Sequence, residues 1–144
     1  MATKRAITAV SIAVSMLWSA RSVSAEGDTF KARLSPVPVE NAALSGITGS
    51  GSATAVLSDR SLTVRGTFSG MRTPATIAQI HLGPRGIRGP AMFDLTVTKD
   101  TSGTISGTFK LTPVQVEAVK GGRFYVQIHS EKAPDGNLWG WLLP

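Results

Sequence analysis

Residues 61–69, with the sequence SLTVRGTFS, alternate apolar and polar side chains over most of their length. Leu62, Val64 and Phe68 fall on one side of an extended chain, which is the period-two pattern of a β-strand with one buried face. Short segments with the same alternation, separated by Gly, Pro, Asn, Asp and Ser, recur along the chain. The sequence therefore predicts eight strands, at Thr29–Ser35, Ser52–Ser58, Ser61–Ser69, Thr76–Leu82, Met92–Thr98, Gly103–Leu111, Arg123–His129 and Asn137–Leu143.

One short helix interrupts this pattern, and the chain is predicted to be all-β. Thr112 can cap the helix, Pro113 suits its first turn, and Gly121 and Gly122 end it. Eight antiparallel strands in a chain of this size favour a Greek-key β-sandwich or flattened barrel. An architecture like that of Cu/Zn superoxide dismutase is compatible with the same strand count. The predicted shared core includes Phe68, Phe109, Phe124 and Val126.

A six-residue motif occurs twice. TVRGTF at residues 63–68 recurs as TISGTF at residues 104–109. Each copy places a glycine, Gly66 or Gly107, in the middle of a predicted strand, where a missing side chain usually marks a bulge or a close backbone contact. Two copies are too few for a repeat protein. We therefore interpret them as related halves of one domain.

The N-terminus has the order of a secretory signal peptide. Lys4 and Arg5 precede an uncharged run over residues 6–20, and small residues lead up to Ala25, so cleavage is expected before Glu26. The run of about 15 residues is shorter than the roughly 20 that a membrane span needs. We expect residues 1–25 to be removed and residues 26–144 to form a single secreted or periplasmic domain, with no transmembrane segment after cleavage.

The composition excludes several classes of site. The chain contains no cysteine, so it has no disulfide, no thiolate metal ligand and no cysteine nucleophile. Removal of Lys4, Arg5 and Arg21 with the leader lowers the net charge from +6 to +3. The remaining basic residues are scattered and not interleaved with aromatic residues, so nucleic acid is not an expected partner.

His81 and His129 are the two histidines of the chain, and each faces away from the apolar side of its predicted strand. Histidines that close strand ends through hydrogen bonds are the first interpretation, and it requires no cofactor. The alternative is a copper or zinc site formed by both, with Gln79 as a weak oxygen ligand. If their strands are antiparallel neighbours, the two histidines are expected near opposite ends, which disfavours a shared ion.

Ser130, His129 and Asp135 have the residue types of a hydrolase catalytic triad, which makes them a further candidate site. Ser130 and His129 are adjacent in one predicted strand, however, and adjacent side chains of a strand point to opposite faces. No catalytic residue is therefore expected.

Residues 83–90, GPRGIRGP, form a Gly- and Pro-rich loop that carries Arg85, Ile87 and Arg88. Exposed loops on rigid strands often carry recognition, and two arginines would attract an acidic partner. A solvated loop without a partner explains the same residues.

Trp139 and Trp141 share one face of the last predicted strand. They can present an aromatic surface to a partner. Leu138 and Leu142 on the other face instead favour a strand that is buried on both sides. Both interpretations stay open at the level of sequence.

Six motifs follow one another along residues 28–143. They are Phe30-x-Ala-x-Leu34 with Pro36-Val-Pro-Val-Glu40, Gly51-x-Ala-x-Ala-x-Leu57, Leu62-x-Val-x-Gly-x-Phe-Ser-Gly70, Ile80-His81-Leu-Gly-Pro84 with Gly89-Pro90, Gly107-Thr-Phe109 before Leu111-Thr112, and Tyr125-Val-x-Ile-His129 with Asp135-Gly-Asn-Leu-Trp-Gly140.

In this order the motifs resemble the CHRD domain, the module named after chordin. This resemblance implies an extracytoplasmic β-sandwich used in protein interaction. The fourth strand of the family commonly reads Ala-His-x-His, whereas this chain has Gln79 at the first histidine position, which weakens a metal site built on that pair.

Taken together, these features predict an exported, non-catalytic binding or structural module that is a monomer or a weak oligomer. Its expected partner is a protein or another component of the cell envelope. The alternative is a degenerate metal-binding protein that uses His81 and His129, and an exported hydrolase is the third hypothesis.

Overall fold

The structure, a computed structural model, describes residues 27–38 and 47–144. The eight predicted strands and the helix are confirmed, with ends that differ by no more than two residues. The predicted signal peptide and part of the predicted connection between Ser35 and Gly51 lie outside the described residues. The elements are β1 (Asp28–Pro36), β2 (Ser50–Ser58), β3 (Ser61–Ser69), β4 (Ala75–Leu82), β5 (Ala91–Val97), β6 (Gly103–Lys110), α1 (Pro113–Lys120), β7 (Phe124–Ser130) and β8 (Leu138–Trp141).

The strands close into a barrel in the order β1-β2-β3-β6-β5-β4-β7-β8. Every pairing is antiparallel, and β3 lies beside β6 rather than β4, which is a Greek-key crossover. The barrel closes where β1 meets β8, with Ser35 opposite Trp139. The predicted fold class is therefore confirmed, in its barrel form.

The two copies of the repeated motif pair with each other. Thr63 lies opposite Thr108 and Thr67 opposite Thr104, so a local two-fold axis relates β3 to β6. A Cβ atom on Gly66 would lie 2.5 Å from the carbonyl oxygen of Ser52. The glycine therefore serves a close backbone contact, one of the two roles expected of it.

The barrel interior is filled by the apolar residues that alternate along each strand. Phe68, Phe124 and Val126 are buried as predicted. Phe109 is only partly buried, and its ring stacks on that of Phe93 at a centroid distance of 4.7 Å. The Phe109 side chain packs against the core as predicted, but its ring lies at the edge of the core and is not fully buried.

The helix α1 begins with a full capping box. The Thr112 hydroxyl accepts from the Gln115 main-chain N–H, and the Gln115 side chain accepts from the Thr112 N–H. Ala118 and Val119 are its buried residues and pack into the barrel core. Within residues 27–38 and 47–144, no helix is long and apolar enough to cross a membrane.

Candidate functional site

The outer surface of β4, β7 and β8 is more buried than the outside of a small barrel usually is. Register places His81 opposite Tyr125, Gln127 opposite Trp139, and Tyr125 opposite Trp141, all pointing away from the interior. Tyr125 is nevertheless fully buried and Gln127 is 2 % exposed. A second layer of chain must therefore cover these side chains.

Two segments form that layer. The turn before β8 lies against Gln127, whose side chain donates to the Asp135 carbonyl at 2.8 Å. The loop at residues 83–90, which we call the covering loop, lies over Tyr125. The Tyr125 hydroxyl accepts a hydrogen bond from the Gly89 N–H at 2.8 Å and donates one to the Gly89 carbonyl at 3.3 Å. The indole Nε1 of Trp141 donates to the Gly83 carbonyl at 3.0 Å. A side chain on Gly89 would collide with the carbonyl of Leu82, so the loop can lie this close to the sheet only with glycine there.

The predicted interaction tip is exposed, but one of its side chains is held. Arg85 and Arg88 are exposed, and Ile87 is 58 % exposed. The Arg88 guanidinium donates to the carbonyl of Asp135 at 2.6 Å and lies 5.9 Å from the ring centre of Trp139. Arg88 therefore joins the covering loop to the turn before β8, while Arg85 and Ile87 face solvent.

The two tryptophans have different environments. Trp141 is 8 % exposed and packs against the Tyr125 ring at a centroid distance of 4.5 Å. Trp139 is partly exposed and stands edge-on to Trp141 at 4.8 Å. Trp141 is buried, as expected for a strand that is covered on both faces. Trp139 is partly exposed, as expected for an aromatic surface that could contact a partner.

A shallow groove of about 350 Å³ runs where β8 meets β1, and we call it the cationic groove. Trp139 and Trp141 line it together with the cationic side chains of Lys31, Arg33 and Arg85. No carboxylate is among the residues that line it in the described part of the chain. Barrel closure brings Lys31 and Arg33 to this groove, and the covering loop adds Arg85.

Sequence reasoning missed Lys31 and Arg33. The signal was present, because both alternate with the apolar residues Phe30, Ala32 and Leu34 and must therefore point outward. What was missing was the pairing of β1 with β8, which sets these cations beside Trp139.

The two histidines come together on the other side of the covering loop. Their backbone positions lie toward opposite ends of β4 and β7, as expected, yet their ring centres are 6.1 Å apart. Both side chains extend along the strands toward each other, across Gln127, which lies between Tyr125 and His129 on the same face. The expectation that strand position would keep the two rings apart is wrong.

Both rings line one cleft of about 410 Å³, which we call the histidine cleft. The Nδ1 atom of His81 is 2.9 Å from the Gly89 carbonyl, and that of His129 is 2.8 Å from the Pro134 carbonyl. A carbonyl only accepts, so each Nδ1 carries the proton in the neutral ring and each Nε2 keeps a free electron pair. Both Nε2 atoms are buried and find no hydrogen-bond partner among the described residues.

The surroundings of His81 favour its neutral form. Burial is the main cause that lowers the pKa of His81; the hydrogen bond to Gly89 opposes it, and the proximity of His129 and Arg88 adds smaller lowering effects. An imidazole held neutral in this way is available as a base or a metal ligand.

Two other predicted roles are not supported by the arrangement. Gln79 donates to the Asp94 carboxylate at 2.9 Å and does not line the histidine cleft, so it is not placed as a ligand. The Ser130 hydroxyl is buried and donates to Asn137, while His129 binds Pro134, so Ser130 and His129 form no nucleophile–base pair. In the described ranges, no group of three or more His, Cys, Asp or Glu side chains is placed to hold a metal ion.

Comparison with known protein families supports the resemblance seen in the sequence motifs. No match to the chain is found among curated proteins or among solved structures. The family model of the CHRD domain matches residues 30–142, from the middle of β1 to the end of β8, and the protein therefore belongs to the CHRD domain family.

Proposed function

We propose that the protein is an exported, non-catalytic binding module, and that the cationic groove is the surface that recognises its partner. The partner we assign is a protein with an exposed acidic segment. Membership of the CHRD domain family supports a binding or structural role in general terms. The signal-peptide pattern of residues 1–25 supports export.

One observation carries the assignment of the surface: Lys31, Arg33 and Arg85 line the same groove as the partly exposed Trp139. A protein interface typically combines a buried aromatic anchor with a polar rim, and Trp and Arg are the residues most enriched at its energetic centre. Charged rims speed the encounter of partners of opposite charge. An acidic segment would therefore be attracted by the rim and would cover Trp139 on binding.

The groove is also rigid, which suits recognition. Trp139 packs against Trp141, which is fixed by its hydrogen bond to Gly83. The Arg88 guanidinium lies 5.9 Å from the centre of the Trp139 ring. A preorganised surface loses little conformational entropy when a partner binds.

Site-specific photo-crosslinking in the cells that export the protein tests this proposal. A benzoylphenylalanine at position 35 replaces Ser35 inside the groove, and the same residue at position 106 replaces the exposed Ser106 on β6 as a control. We expect a protein adduct at position 35 and none at position 106, with the crosslinked peptide rich in Asp and Glu. The yield of this adduct should fall as the salt concentration is raised before crosslinking, because salt screens the attraction between exposed charges.

A charge-matched pair of variants completes the test. R33A with R85A should abolish the adduct, whereas R65A with K110A removes two exposed cations from β3 and β6 and should leave it intact. Equal adducts at positions 35 and 106, an adduct with polysaccharide instead of protein, or equal loss in both double variants would contradict the proposal.

A further inference from the structure

The histidine cleft contains two buried acceptors that receive no hydrogen bond from the described residues. Both Nε2 atoms lack a hydrogen-bond partner among the residues that the structure describes, although Nδ1 of each ring is satisfied. Buried polar atoms are nearly always paired, so an unpaired one requires an explanation, and here two occur in the same cleft. Neither belongs to the cationic groove.

The hydrogen bonds at Nδ1 are of the kind that prepare a histidine to bind a metal. A metal-binding imidazole usually donates its second N–H to a carbonyl or carboxylate, which fixes the tautomer and orients the ring. Here the Gly89 carbonyl performs this role for His81 and the Pro134 carbonyl performs it for His129. The two carbonyls come from different loops, so each ring is fixed independently.

The separation of the rings fits one shared ion. A metal–nitrogen bond of about 2.0–2.1 Å puts a ring centre about 3.2 Å from the metal, so two imidazoles on one ion have centres at most about 6.4 Å apart. The observed distance is 6.1 Å. This value lies just inside the limit, so an ion shared by the two Nε2 atoms would have a wide nitrogen–metal–nitrogen angle.

We propose that Nε2 of His81 and Nε2 of His129 together bind one copper(I) ion. The ion would be held in two-coordinate geometry with a wide nitrogen–metal–nitrogen angle, between the covering loop and the turn before β8.

The number and charge of the available ligands select copper(I). Structural zinc sites have four ligands and catalytic zinc sites three protein ligands, whereas no group of three His, Cys, Asp or Glu side chains is so placed in the described residues. Imidazole suits copper, and copper(I), with a filled d shell, accepts two nitrogen ligands in a line. Arg88 and Asp135 both line the same cleft, so their opposite charges leave it without the net negative charge that favours a divalent ion.

Anaerobic titration of the purified protein with copper(I), in competition with bicinchoninate, tests the site. We expect one ion per chain. H81Q and H129Q each remove one of two ligands, so each should weaken binding by roughly 100-fold or more, beyond the 10- to 100-fold typical of losing a partner outside the ligand shell. Q79A changes an outward side chain of the same strand that does not line the cleft, and it should bind copper as the wild type does.

A measurement on the wild-type protein avoids any effect of the variants on folding. Silver(I) is a diamagnetic substitute for copper(I), and nitrogen-15 NMR should show both Nε2 resonances shifting together at one equivalent while the Nδ1–H signals persist. The proposal is wrong if the wild type binds no copper(I), since water then fills the cleft, or if both histidine variants retain one ion per chain. Zinc binding as tight as that of copper(I) would also overturn the assignment.

Discussion

The hydroxyl group of Tyr125 binds both main-chain polar groups of Gly89, accepting from its N–H at 2.8 Å and donating to its carbonyl at 3.3 Å. Through this one side chain, strand β7 fixes the covering loop over the outer face of the barrel. The Gly89 carbonyl also accepts from His81. Tyr125 therefore positions one wall of the histidine cleft.

Y125F should destabilise the protein by about 1–3 kcal/mol, because the Gly89 N–H loses its partner while remaining partly buried. Urea unfolding measures the loss, and hydrogen exchange at Gly89 should accelerate. I87A, on the same loop but exposed, should change the unfolding free energy by no more than about 0.5 kcal/mol. Equal effects of the two variants would mean that the hydroxyl does not hold the loop.

Phenylalanine truncations should separate the core from its edge. F124A removes a fully buried ring and should cost about 3–5 kcal/mol, whereas F109A removes a partly exposed one and should cost less. Chemical denaturation of both variants gives the comparison. If F109A proved as costly as F124A, the ring of Phe109 would have to lie deeper than the strand register places it.

The two glycines of the repeated motif should differ in their tolerance of alanine. At Gly66 the added methyl would meet the main-chain carbonyl of Ser52, which cannot move without disturbing β2. At Gly107 it would meet the ends of the Phe109 and Leu95 side chains, which can rotate. G66A should therefore destabilise more than G107A, with about 1–3 kcal/mol expected for an overpacked site. The reverse order of melting temperatures would contradict this reasoning.

Acid should weaken the fold through His81. Because burial lowers the pKa of His81 in the folded protein, the unfolded chain takes up a proton at a higher pH than the folded chain does. The free energy of unfolding should thus be constant above a pH of about 6.5, the ordinary histidine value, and fall as the pH drops below it. H81Q should reduce the fall between pH 6.5 and 5, and an unchanged pH profile in H81Q would exclude His81 as its source.

Much of the fold follows from local sequence. The alternation of Leu62, Val64 and Phe68 was sufficient to identify β3 and its inward face, because side chains of a strand point to the two faces in turn. Thr112 and Pro113 likewise located α1, since capping depends on residues that are neighbours in the chain. The sequence also identified Arg85, Ile87 and Arg88 as a loop and Trp139 and Trp141 as one face.

The arrangement of the sites was decided only by tertiary structure. Pairing of β1 with β8 brings Lys31 and Arg33 to Trp139, and it joins the two ends of the domain, which no local pattern encodes. The rings of His81 and His129 come within 6.1 Å of each other because side chains on adjacent antiparallel strands can lean along the strand direction. Strand periodicity fixes the face on which a side chain lies, but the distance between two side chains depends on register and on the direction in which each extends. The sequence alone therefore determined the strands and their faces, and closure of the barrel determined which outward side chains share a groove or a cleft.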